Sequence, residues 1–384
     1  MTPPNQDSAK RARPAQAPVL LTPGPLTTSA ATKQAMLRDW GSRDEDFIAL
    51  TGRVRARLAA LAGATSSHTC IPLQGSGTFA VEAMIGSLVP RSGKILVLVN
   101  GAYGRRIERI CRIIARPVAT LTGAETRPID PAALASALAA DAAISHVAAV
   151  HCETTSGVLN PLAEIAAVTA AAGRALLIDA MSSLGAIELD ARAIRFEAVA
   201  ASANKCLEGV PGLGFVLADA EALAANRGAA PSLSLDLHDQ WQGLEKNGQW
   251  RFTPPTHVLA ALDAALDQLE VEGGVAARHA RYTDNCTRLV AGMRGLGFET
   301  LLADADQAPI IVTFAIPGDP RFEFGRFYQA LHERGIVIYP GKLTDADSFR
   351  IGCIGAIGAA EIDAALAAVA TVLDDMGVRA RGPA

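Results

Sequence analysis

The sequence predicts an α/β protein: a mostly parallel sheet sandwiched by helices, followed by a smaller C-terminal α/β unit. Three observations predict it. Between about residues 68 and 218, short apolar runs alternate with amphipathic segments, as in sheets covered on both faces. Run after run then ends in a polar cluster, as expected where a parallel sheet presents its carboxyl ends to a ligand. Finally, 384 residues exceed the comfortable size of one hydrophobic core, so about two domains are expected.

The predicted strands, in order, are 70–73 (Cys-Ile-Pro-Leu), 94–99 (Lys-Ile-Leu-Val-Leu-Val), 146–150, 175–178 (Ala-Leu-Leu-Ile), 198–201 and 213–218. The last follows a Gly-Val-Pro-Gly turn at 209–212. Amphipathic spacing predicts helices over 79–88, 103–114 and 161–172. Residues 256–297 are helical in pattern almost throughout and read as a connector. Beyond them come a strand at 309–314, a helix at 322–335, strands around 336–339 and 349–352, and a last helix at 358–376. The expected division is a disordered tail over 1–18, a large domain over 19–265 and a small domain over 266–384. The start of the large domain is expected to contribute to the small domain and the site.

Composition narrows the partners. Net charge is −4, with 35 basic and 39 acidic residues well mixed, which argues against the basic stripe of a nucleic-acid binder. No apolar run approaches the roughly 20 residues a spanning helix needs. The first 18 residues are rich in Pro, Ala and Arg and lack a continuous apolar stretch, unlike a secretory signal. Six cysteines lie scattered without a CxxC pair, which argues against a disulfide framework and against a structural metal site. A reducing compartment, the cytoplasm, is expected.

Chemistry concentrates at the strand ends. The first strand runs into Gln74-Gly75-Ser76-Gly77-Thr78 and then a helix, a natural anion site because backbone N–H groups and the helix dipole favour a phosphate there. It matches neither a P-loop nor GxGxxG, and an ordinary capped turn is the alternative. Asp179 directly follows Leu-Leu-Ile. Such a carboxylate serves as a helix cap or metal ligand, or else pairs with a protonated pyridine nitrogen so that the ring can take up electrons. Lys205 closes a run of small residues. A surface lysine at a strand exit is one reading; a desolvated, nucleophilic amine suited to Schiff-base chemistry is the other. Asp179 and Lys205 on successive strands, with a phosphate-type turn upstream, together favour the second.

These residues resemble the class V aminotransferases of the pyridoxal phosphate superfamily, from about Leu20 to the last helix. The blocks that carry the resemblance are 20–27 (LLTPGPLT), 73–83 (LQGSGTFAVEA), 100–104 (NGAYG), 153–157 (ETTSG), 179–183 (DAMSS), 202–206 (SANKC), 232–237 (SLSLDL), 253–257 (TPPTH), 272–278 (EGGVAAR) and 339–342 (YPGK). The resemblance implies a fold type I transferase and pyridoxal 5′-phosphate as cofactor, with Lys205 as its Schiff-base lysine and Asp179 on the ring nitrogen. It implies that Ser76, Gly77, Thr78 and Ser202 hold the phosphate, Tyr103 and Met181 cover the two ring faces, and Thr154 meets the ring hydroxyl. Thr253 and Thr256, with Thr253 preferred, would reach the neighbouring subunit's phosphate across a homodimer interface. Arg350 would grip the substrate's acid group, with Gly24 and Arg43 as further substrate contacts. The expected reaction is ping-pong transfer of an amino group from an amine donor to pyruvate. The 232–237 and 272–278 blocks tilt the donor toward 2-aminoethylphosphonate. Cys152 stands where serine is expected, and residues 39–44 depart from the Cys-Thr-Trp form seen in some members.

Two rivals share the cofactor residues or the fold. An aminotransferase acting on alanine, serine and glyoxylate differs only on the substrate side. A non-catalytic binding protein would not need the intact lysine–aspartate pair. Asn204 before Lys205, in place of histidine, disfavours a cysteine desulfurase, and the missing GxGxxG disfavours a dinucleotide-binding enzyme.

Overall fold

Alternation along the central strands sorts their side chains into two cores. In strand 175–179, Leu176 and Ile178 enter one apolar cluster and Leu177 enters the other, because successive strand residues point to opposite faces. The computed structural model describes residues 17–343, 347–379 and 382. Its main sheet has seven strands: β1 (His68–Gln74), β2 (Lys94–Val99), β3 (Val118–Thr122), β4 (Ile144–Val150), β5 (Ala175–Asp179), β6 (Ala198–Ser202) and β7 (Leu213–Asp219). Their spatial order is β1-β7-β6-β5-β4-β2-β3. Only β7 runs antiparallel to its neighbours.

One face is covered by α1 (Glu45–Leu61), through Phe47, Leu50, Val54 and Leu58, together with α4 (Thr256–Glu272), through Leu259, Leu262 and Leu266. The other face is covered by α2 (Gly77–Leu88) and α3 (Ala102–Ile113), through Val81, Met84, Ile85, Ile107 and Ile110. Full burial of each such side chain stabilises the fold by about 1.5–3 kcal/mol, and that is why the strands read as continuous apolar runs.

Toward the C-terminus, α5 (Gly274–Gly295) and α6 (Ala359–Met376) accompany an antiparallel sheet of β8 (Ile311–Ala315), β10 (Ser348–Gly352) and β9 (Tyr339–Pro340). Its core is aromatic: the Phe349 ring lies 5.5 Å from Phe298 and 5.6 Å from both Phe314 and Phe327. At the other end of the chain, Val19–Leu20 pairs in parallel with Ile336–Val337, and Gly352 N–H donates to the Leu21 carbonyl at 2.9 Å. This anchorage aims Pro23 and Gly24 at the rim of the main sheet.

The structure departs from the sequence reading at several points. The edge strand β3 goes beyond the predicted set; its residues are only partly buried, so it lacks the apolar run of a central strand. Helix α1 also goes beyond it, although Phe47, Leu50, Val54 and Leu58 share one face. Residues 256–297, read as helical almost throughout, form two helices that part where Gly273 (φ 111°) and Gly274 (φ 79°) take the left-handed conformation, which ends α4 as glycine commonly ends helices. Of the expected tail, residues 1–16 lie outside the described residues. No helix among the described residues is long and apolar enough to cross a membrane.

Candidate active site

Strand pairing brings the chemistry together. Asp179 ends β5 opposite Val150 of β4 and Ala200 of β6, and Ser202, which ends β6, leads into the turn that carries Lys205. A cavity of about 190 Å³ opens on this rim. It is lined by Ser76, Gly77, Thr78, Tyr103, Asp179, Met181, Ser202 and Lys205, with Arg106, Cys152 and Asn204 among their neighbours.

The Lys205 amine donates to the Pro23 carbonyl at 2.7 Å and to the Gly24 carbonyl at 3.2 Å. Burial lowers its pKa to about 8, with Arg350 and Arg106 pulling the same way and Asp179 opposing. The fraction of neutral, nucleophilic amine at a given pH rises accordingly. Gly24, expected at the substrate, lies against this side chain: a Cβ there would sit 2.5 Å from Lys205 Cδ. Asp179 is buried, and its carboxylate accepts the Met181 N–H at 3.0 Å. Burial raises its pKa to about 6, so the site favours a cationic partner for it.

At the other end of the cavity Ser76 is the N-cap of α2, yet its hydroxyl makes no capping bond and is left for a ligand. Gly77 is needed for space, because a Cβ would lie 2.3 Å from Met181 Sδ. Arg106 donates to Thr78 Oγ1 at 3.2 Å, and its guanidinium carbon stands 4.8 Å from the Tyr103 ring centroid. Sequence reasoning missed Arg106; the signal was its place one helical turn after Tyr103. Glu153 was also missed. Its buried carboxylate accepts the Tyr103 N–H at 3.1 Å and the Thr155 hydroxyl at 2.7 Å, fixing the start of α3 and hence the Tyr103 ring.

Thr154 is fully buried, and its Oγ1 has no hydrogen-bond partner. Leaving a buried hydroxyl unsatisfied costs about 1–3 kcal/mol, so this atom is a ready contact for a ligand. The Thr154 carbonyl accepts from Arg350 Nη1 at 2.8 Å, and Arg350 Nε donates to the Pro340 carbonyl at 3.0 Å. The guanidinium is thereby oriented with a donor edge to spare.

Thr253 and Arg43 do not line this cavity. They share a separate depression with Ser42, Trp250 and Phe252, where the Thr253 carbonyl accepts from Gln74 at 2.7 Å. The Thr256 hydroxyl lies 3.4 Å from His257 Nδ1.

In fold, the chain belongs with the aminotransferases. The solved pyridoxamine–pyruvate aminotransferase of Mesorhizobium loti superposes with a TM-score of 0.86 at 24% identity, covering 95% of this chain and 94% of that one. The alanine–glyoxylate aminotransferase of a Nostoc species superposes with a TM-score of 0.87 at 24% identity, covering 97% and 100%. By sequence, the chain belongs to the family described as Aminotransferase class-V, whose profile matches residues 27–348. It is 57% identical to the 2-aminoethylphosphonate–pyruvate transaminase of Pseudomonas putida over 94% of this chain and 98% of that protein. It is 58% identical to a 2-aminoethylphosphonate–pyruvate transaminase of Burkholderia lata over 94% and 96%.

Proposed function

We propose that the protein transfers the amino group of 2-aminoethylphosphonate to pyruvate, forming phosphonoacetaldehyde and L-alanine, with pyridoxal 5′-phosphate as its cofactor. The observation that carries the reading is a lysine amine and a buried carboxylate on adjacent strand ends, in one cavity with a Ser-Gly-Thr helix start. The names of the relatives above supply the donor and the acceptor.

The residues present fit this cofactor. The orphaned Thr154 Oγ1 suits the ring hydroxyl, the buried Asp179 suits a protonated ring nitrogen, and the free Ser76 hydroxyl at a helix N-terminus suits a phosphate. When bound, the cofactor supplies an aldehyde that condenses with amines and a ring that takes up an electron pair. Lys205 is its covalent anchor. Lys205 Nζ, when free of the cofactor, would take the proton from the substrate carbon that bears nitrogen and hand it on to the cofactor rather than back to that carbon, so that the amino group leaves the substrate. Asp179 keeps the ring nitrogen protonated, Tyr103 and Met181 cover the ring faces, and Ser202 joins Ser76, Gly77 and Thr78 at the phosphate. Arg350 holds the phosphonate and then the carboxylate in turn, as the planar guanidinium allows. Gly24 leaves room beside the lysine. Thr253, with Thr256 beside it, serves the phosphate of the second subunit of a homodimer, and Arg43 in the same depression meets substrate there. Six buried, unpaired cysteines favour the cytoplasm as its compartment.

The test is L-alanine formation from pyruvate with a panel of amine donors. 2-Aminoethylphosphonate is expected to lead the panel. Preferred turnover of serine with glyoxylate would overturn the proposal.

A further inference from the structure

Arg106 lines the cavity, Lys342 and Arg350 stand near the Tyr103 ring that also lines it, and none of the three makes an ion pair among the described residues. Arg350 is buried and, among the described residues, bonds the backbone carbonyls of Pro340 and Thr154. Arg106 leans over the Tyr103 ring and reaches Thr78. Lys342 is exposed, with its ammonium 5.3 Å from the same ring centroid. Partial desolvation, then Arg106 and Arg350, lower the Lys342 pKa, so like charges crowd here. The nearby carboxylate, Glu153, is occupied by the Tyr103 N–H and by Thr155. Such a cluster has more positive charge than a single carboxylate needs.

The hairpin holds Lys342 in place. Tyr339 pairs with Arg350 across β9 and β10, and Gly341 N–H donates to the Ser348 carbonyl at 2.8 Å. Lys342 therefore shares its hairpin with the acid-gripping arginine and overhangs the ring that lines the cavity. Arg106, bonded to Thr78, serves the phosphate end, which leaves Arg350 and Lys342 for the substrate.

We propose that Lys342 is a specificity-determining residue: Arg350 grips either acid group, and the Lys342 ammonium adds the second positive charge that a phosphonate dianion calls for and a carboxylate does not. The inference rests on the phosphonate reading above. A phosphonate, like a phosphate monoester, approaches two negative charges near neutral pH. A carboxylate carries one. An exposed ammonium is weakened by salt, so its contribution is modest and depends on ionic strength.

The experiment compares kcat/KM for 2-aminoethylphosphonate and for L-alanine as donors in the holoenzyme, for the wild type, Lys342→Met and Lys342→Arg. Lys342→Met is expected to lower the phosphonate-to-alanine ratio about tenfold, and Lys342→Arg to keep it within about threefold. As a binding readout, inhibition by methylphosphonate weakens relative to inhibition by acetate in Lys342→Met alone. Equal loss on both donors, or no change in the ratio, overturns the assignment of Lys342. If the wild type does not use 2-aminoethylphosphonate at all, the functional reading fails instead.

Discussion

Lys205 donates to the carbonyl of Pro23 at 2.7 Å, a contact between residues 182 positions apart. The N-terminal segment, tied to Ile336–Val337 through Val19–Leu20, thus forms a wall against the lysine. Two carbonyls can solvate an ammonium, yet they do not restore what burial removes, and the pKa falls from 10.5 to about 8. A lowered pKa means more neutral amine at a given pH. The rate at which cofactor-free protein captures pyridoxal 5′-phosphate is therefore expected to rise with pH through a midpoint near 8. Lys205→Ala abolishes the near-visible absorbance of the bound cofactor while leaving the far-ultraviolet dichroism intact. A midpoint near 10 would mean that the lysine is solvated like a surface residue. Borohydride followed by mass spectrometry should find the label on Lys205 and nowhere else.

Gly24 tests the same wall from the other side. Its φ is 111°, and an added Cβ would meet Lys205 Cδ at 2.5 Å and the Asn204 carbonyl at 2.7 Å. The lysine end is flexible, but the backbone carbonyl is not. Gly24→Ala is expected to lower kcat about 100-fold or more, since misplacement by about 1 Å costs that much. Thermal unfolding should shift only a few degrees, because the segment stays anchored at Leu21. An unchanged kcat would remove Gly24 from the site.

Much of this was legible in the sequence because it depends on local pattern. Continuous apolar runs marked six of the seven main strands, and the polar residues that close them marked Ser76, Asp179, Ser202 and Lys205. Sequence reading falls short where register or handedness decides. Arg106 enters the cavity only because α3 turns it to the same side as Tyr103, and Lys342 matters only through the β9–β10 pairing. Strand β3, half exposed at the sheet edge, lacks the hydrophobic contrast that marks its neighbours. Thr253 and Arg43 share a depression apart from the cavity of their own chain, where Thr253, expected to serve the neighbouring subunit, would face outward.

Asp179 makes a stability prediction with a definite sign. Its pKa in the fold is raised from 3.8 to about 6, so the folded protein binds the proton more tightly than the unfolded chain. The associated stability is present below about pH 4 and is lost as pH rises through about 6. A rise of about two units corresponds to about 3 kcal/mol. In cofactor-free protein, Asp179→Asn should remove this pH dependence and raise the urea midpoint at pH 8, because asparagine can still accept the Met181 N–H. The same variant should bind pyridoxal 5′-phosphate more weakly and transaminate at least about 100-fold more slowly. A cofactor-free variant less stable than the wild type at pH 8 would mean that Asp179 is satisfied as a carboxylate.

The turn that carries Lys205 is held from below by Arg278, Arg281 and Tyr282. Arg278 is almost fully buried; its Nη1 donates to the Cys206 carbonyl at 2.7 Å, and its Nε pairs with Glu272 at 2.6 Å. Glu208, the next acidic residue of the turn, adopts φ 60°, a conformation costly for a side chain with a Cβ. It is retained by Arg281 at 2.8 Å and Tyr282 at 2.6 Å, with Arg278 at 3.6 Å. The 272–278 block, read in the sequence as a family marker, is thus the clamp beneath the catalytic turn. Arg278→Ala leaves the Cys206 carbonyl without its buried partner, while Glu272 keeps Arg281 at 2.8 Å, and about 1–3 kcal/mol of stability should be lost. Arg278→Lys should recover little of it, since a point charge cannot serve a carbonyl and a carboxylate in the geometry of a planar fork. Urea unfolding of the three proteins measures this directly. Any Arg278→Ala protein that folds should also show the Lys205 capture midpoint moved from about 8, because the turn no longer presses the amine into its buried seat; a loss below about 1 kcal/mol with an unmoved midpoint would show that the turn stands without the clamp.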